Sequence, residues 1–154
     1  MKNLIIAFMI ISFGTAGQKS SSGSAIHDTA PERIVYSVII SGFALSDSAD
    51  GPESAISWNQ VESEKFLHIH AFANLPDSVM TLQGKYRKLK GTDIGSPADD
   101  IPLEPGKRRP GGYFDFVITH YVLDRDTRYL VRAADDFSSK DIKCLVTDTF
   151  KTRK

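Results

Sequence analysis

Sulfur is scarce: the 154 residues hold one cysteine, Cys144, and three methionines. A lone cysteine cannot staple a domain internally, so packing alone must hold the fold together. Its setting, "DIKCLVTDTF", alternates in the manner of a strand and places the thiol beside Ile142 and Val146 as a buried, inert group. Charge of one sign is missing too, because 19 basic side chains balance 19 acidic ones. That balance removes the electrostatic footprint of a nucleic-acid binder. No glycine-rich loop opens a helix, and no G-x-S-x-G elbow occurs. Phosphate cradling and serine-hydrolase chemistry therefore have no motif to start from.

Long apolar runs are absent after the first, which lies within residues 1–17, "MKNLIIAFMIISFGTAG". Lys2 supplies a positive start, Leu4 to Phe13 an apolar stretch, and Gly14 to Gly17 the small residues of a cleavage site. The run is shorter than the ~20 residues a membrane-spanning helix needs. A secretory signal peptide is expected, hence a periplasmic or secreted protein without a transmembrane segment after processing. Residues 18–31 begin "QKSSSGSA", carry His27, and read as a flexible leader.

What is present in quantity is period-two alternation of β-branched and aromatic residues, punctuated by Gly, Pro, Asp and Ser. Strands are expected at 33–45, 55–62, 65–73, 78–90, 113–123, 128–134 and 142–150. Gly84 within the fourth suggests a bulge or bend. "DRDT" at 124–127 suggests a hairpin between its two neighbours. The segment 91–112 is rich in proline and glycine and reads as a long loop. The expected fold is all-β: a single antiparallel sandwich of immunoglobulin-like type over residues 32–150, with about seven strands, followed by a basic tail at 151–154.

The chemistry-bearing candidates are few. In "KFLHIHAFANLPD", residues two apart share a strand face, so His68 and His70 point the same way, alongside Phe66 and Phe72. Both imidazoles can then reach one ion at the ~2.0–2.1 Å of a zinc–nitrogen bond. His120 in "VITHYV" is the histidine placed to supply a third ligand, if strands 65–73 and 113–123 are neighbours in suitable register. Phe66 and Phe72 equally allow an aromatic sheet face with hydrogen-bonded neutral histidines. The stretch "FLHIHAFAN" resembles the histidine strand of copper/zinc superoxide dismutases over about nine residues. It departs from that family at Phe66, Leu67 and Ala73, and no histidine lies between 70 and 120 to bridge two metals. The cupin motif is also unmet, since Asn74 stands where a glutamate should follow. Neither family's activity carries over.

Aspartates in "DSADG" (47–51) and "DRDT" read as turn formers rather than calcium ligands. The segment "EPGKRRPGGYF" brings Lys107, Arg108 and Arg109 near Tyr113, a mixture enriched at interface hot spots. The favoured function is an exported, non-enzymatic interaction module. It would present loops 46–54 and 91–112 to a protein partner in the cell envelope or outside the cell, and would need no cofactor. The alternative is a zinc- or copper-binding protein using His68, His70 and His120.

Overall fold

A computed structural model describes residues 36–119, 121–140, 142 and 145–154. The expected signal peptide and leader, with His27, lie outside the described residues, as do His120 and Cys144. Nine strands are described: β1 (Val38–Ser46), β2 (Ser54–Ile56), β3 (Phe66–Ala73), β4 (Thr81–Lys88), β5 (Ile101–Pro102), β6 (Gly106–Arg108), β7 (Tyr113–Ile118), β8 (Arg128–Ala134) and β9 (Leu145–Lys151). Helix among the described residues is limited to a 3₁₀ turn at Pro97–Asp99, capped by the Ser96 side chain. None is long and apolar enough to cross a membrane.

The pairings are antiparallel and run in the order β2-β1-β3-β7-β6-β4-β8-β9, with β5 added to β4. The all-β, antiparallel expectation is met. The strand path runs through β4 and forms a half-barrel, and the finer immunoglobulin-like arrangement is not confirmed by it. β4 carries the sheet around. Thr81 and Leu82 pair with β6, and Gln83 to Lys88 pair with β8.

The expected hairpin of 113–123 with 128–134 does not form, because β7 pairs with β3 and β6 while β8 pairs with β4 and β9. β7 ends at Ile118, and residues 119–127 are long enough to cross to another part of the sheet. Nor is 91–112 all loop. It contributes β5 and β6, and its first part is tied to the sheet through Asp100, which pairs with Arg87 of β4 at 2.6 Å and Arg132 of β8 at 2.9 Å. Lys151 belongs to β9, and Thr152 is buried, its hydroxyl donating to the Asp124 carbonyl at 2.6 Å.

The two ends of the sheet meet across the core. Phe43 of β1 lies 6.0 Å from Phe150 of β9, which stacks on Tyr129 of β8 at 5.3 Å. Beyond β2, backbone bonds from Lys151 N to Trp58 O (2.7 Å) and from Arg153 N to Val61 O (2.8 Å) tie the ends together. The concave face carries Leu67, Ile69 and Ala71 of β3 with Phe114, Phe116 and Ile118 of β7, all buried. Along β1 the apolar phase changes. Ile40 pairs with Ala71 but Gly42 pairs with His70, so Ser41 is an extra residue, a β-bulge. Val38 faces the core before it, Phe43 and Leu45 after it.

Two glycines exist for one ring. A Cβ on Gly84 would sit 2.6 Å from Phe116, and one on Gly106 would sit 2.8 Å from it. The ring therefore lies flat across β4 and β6 where side chains would otherwise stand, and this explains Gly84 within a strand. Gly84→Ala is expected to destabilise the fold by about 1–3 kcal/mol through overpacking. Gly42→Ala, where nothing lies within 4 Å, should stay within about 0.5 kcal/mol of wild type. Equal urea midpoints for the two variants would show that Phe116 yields freely.

Candidate metal centre

On the convex face, opposite the core, a charged cluster is nonetheless buried. Register places Asp115 of β7 directly across from His70 of β3, with Val117 across from His68. The histidines share a face as the period-two pattern requires, and Asp115 shares it with them. The side chains of His68 and Asp115 are 1 % and 0 % exposed, those of His70 and Glu53 23 % and 27 %. Glu53 comes from the 47–53 segment joining β1 to β2, folded by a turn in which Gly51 N donates to the Ser48 carbonyl at 3.0 Å. Four donors thus converge, one each from Glu53, His68, His70 and Asp115, all within 4.8 Å of one another.

Their separations bear on what could sit between them. His68 Nδ1 lies 3.1 Å from Asp115 Oδ1 and 3.5 Å from Glu53 Oε1. His70 Nε2 lies 2.7 Å from Glu53 Oε2 and 4.0 Å from Asp115 Oδ1. A tetrahedral zinc ion with ~2.0–2.1 Å bonds sets its donors about 3.3–3.4 Å apart. The observed distances bracket that value.

Proton accounting sharpens the case. The Ser46 hydroxyl donates its one hydrogen to the Ser48 carbonyl at 2.5 Å. At 2.8 Å from His68 Nε2 the same oxygen must therefore accept, so Nε2 carries hydrogen. In a neutral ring, Nδ1 then turns a lone pair toward two carboxylates. That contact is repulsive unless a positive charge, a proton or a metal ion, lies between. His70 Nε2 is buried and makes no hydrogen bond, although it lies 2.7 Å from Glu53 Oε2. The series Ser46–His68–Asp115 has the connectivity of a nucleophilic triad without the exposed serine, free to give its proton to the histidine, that a triad uses. Its serine is 3 % exposed and has already committed its proton.

Around the cluster, Arg109 donates through Nη2 (2.8 Å) and Nε (3.2 Å) to Asp115 Oδ2, and this bonded carboxylate raises the guanidinium's pKa further. Tyr113 packs on His70, ring centroids 4.7 Å apart. Arg109 is positioned by "RPGG": Pro110, then Gly111 at φ 96° and Gly112 at φ 83°, with Gly112 N donating to the Arg109 carbonyl at 3.1 Å. Pro followed by a positive-φ glycine is the chemistry of a type II turn.

The sequence candidates fall out unevenly. His68 and His70 come together as expected. β3 and β7 are neighbours, but the described pairing ends at Leu67 with Ile118, before position 120. His120 itself lies outside the described residues. Asp115 and Glu53 were missed. An aspartate inside the apolar alternation "YFDFVI" was the available signal, since a charge there needs a partner. Of the proposed interaction residues, Lys107 is exposed, while Arg109 and Tyr113 belong to the surroundings of the cluster. Arg108 pins residues 75–79, donating to the carbonyls of Val79 (2.8 Å), Pro76 (3.0 Å) and Leu75 (3.1 Å), and lies over Phe114. No family model, curated protein or solved structure matches the chain.

Proposed function

We propose that the protein is an exported metal-binding module that captures and releases one zinc or copper(II) ion at Glu53, His68, His70 and Asp115. The convergence of two imidazoles and two carboxylates, one ligand atom of each within 4.8 Å of the others, carries this reading. Two nitrogens and two oxygens without sulfur suit zinc or copper(II), whereas calcium and magnesium prefer all-oxygen shells. Four protein donors leave no open position of the kind a catalytic metal keeps, so the reading is binding rather than hydrolysis. Exchange is favoured because the side chains of His70 and Glu53 are partly exposed, though His70 Nε2 itself is buried, while His68 and Asp115 form a closed floor. Release implies an acceptor, and the exported reading puts that partner in the cell envelope or outside the cell.

After zinc loading and dialysis, elemental analysis of the full chain is expected to find one ion per molecule. Glu53→Gln and His70→Gln, both at the exposed half, should each weaken retention by more than the 10–100-fold typical of outer-shell changes. A wild-type chain that keeps no ion, or variants that keep as much as wild type, would sink the proposal.

A further inference from the structure

We propose that Arg109 sets which metal ions the site accepts, by occupying one oxygen of Asp115 and so confining the ion to four donors. The inference rests on the metal reading above. A carboxylate oxygen offers two lone-pair sites. Arg109 sends two hydrogen bonds to Asp115 Oδ2, from Nη2 at 2.8 Å and from Nε at 3.2 Å, and so takes up both. His68 Nδ1 is nearly equidistant from the two oxygens, 3.1 Å from Oδ1 and 3.2 Å from Oδ2. Position alone therefore does not decide which oxygen binds; the guanidinium does. Only Oδ1 keeps lone pairs free, and Asp115 must ligate through one oxygen.

That restriction discriminates between ions. Calcium needs six to eight oxygens and commonly takes carboxylates through both, whereas zinc is satisfied by four donors. The space for a larger shell is present beside Asp115. A cavity of about 260 Å³ is lined by Asp115 and Arg109 together with Asp50, Glu104 and Lys107. With the guanidinium gone, Asp115 Oδ2 is freed and water can enter beside it, so a harder, larger cation can gain oxygen donors despite Lys107 in the lining. Arg109 thus acts as a positioning residue. Its place is fixed by the backbone, since its amide donates to the Tyr113 carbonyl at 2.8 Å and its carbonyl accepts from Gly112.

The test uses cobalt(II), whose visible absorption is intense in four-coordinate sites and weak in five- or six-coordinate ones, and a zinc–calcium competition on the full chain. Wild type is expected to give the intense spectrum and to reject calcium. Arg109→Met should give the weak spectrum and lower the zinc-over-calcium preference at least tenfold. Arg109→Lys keeps the charge but offers a single ammonium in place of the fork, so it should move both readouts in the same direction to a lesser extent. This second variant carries the test if Arg109→Met does not fold. Unchanged spectra and preference in a folded variant would overturn the assignment while leaving the metal site standing. Absence of cobalt uptake by wild type would overturn the metal reading itself, and this assignment with it.

Discussion

Replacing Phe116 with alanine is expected to cost the folded domain about 3–5 kcal/mol. The ring is 1 % exposed and belongs to β7, yet it fills the space above two other strands, where Gly84 and Gly106 offer no side chains. Truncation removes the full transfer energy of a buried aromatic, and the walls cannot relax inward to fill the hole. A domain of ordinary stability has about 5–15 kcal/mol in total, so this one ring represents a third or more of a modest reserve. Urea unfolding should show the midpoint falling with the slope unchanged. A loss below about 1 kcal/mol would mean that the joint between β4, β6 and β7 is held by other contacts.

Zinc at a hundredfold excess over its dissociation constant should stabilise the wild-type chain by about 2.7 kcal/mol. For a domain of this size that corresponds to a rise in melting temperature of roughly 10 °C. The linkage argument is direct. The four donors come from three separate stretches of sequence and meet only in the folded state, so the ion binds the native chain far better than the unfolded one. The H-x-H pair alone survives unfolding, and its weak residual affinity trims the shift slightly. A chelator should reverse the effect. Glu53→Gln, altered on the solvent side, should melt near the wild-type temperature without metal and gain little on addition of zinc. A shift of equal size in that variant would place the ion elsewhere.

The strands were legible wherever alternation was long and uninterrupted: 128–134 matches β8, and 65–73 differs from β3 by one residue. β5 and β6 were not, because two or three residues flanked by proline and glycine carry no period. The face of β7 that meets the histidines was not legible for a different reason. Alternation says that 114, 116 and 118 share a side, but not which side meets the histidines, and that depends on pairing with β3. With the other parity, Asp115 meets them. Glu53 was hidden by its company, since "DGPES" reads as turn chemistry whether or not one of its acids is recruited. H-x-H on one strand was recoverable because two ligands shared a single element. The remaining two depended on long-range register and on the path of a loop.

The additional residue at Ser41, whose hydroxyl donates to the His70 carbonyl at 3.2 Å, has a second consequence for the chemistry. It lets one strand be read in two frames, so Ile40 and Phe43 both enter the apolar layer while Ser46 emerges beneath His68 on the opposite side. Shortened by one position, the second half of that strand would rotate: Leu45 would turn toward the carboxylates and Ser46 into oil. Spacing, more than the identity of any residue near 41, keeps the proton ledger of the imidazole in order.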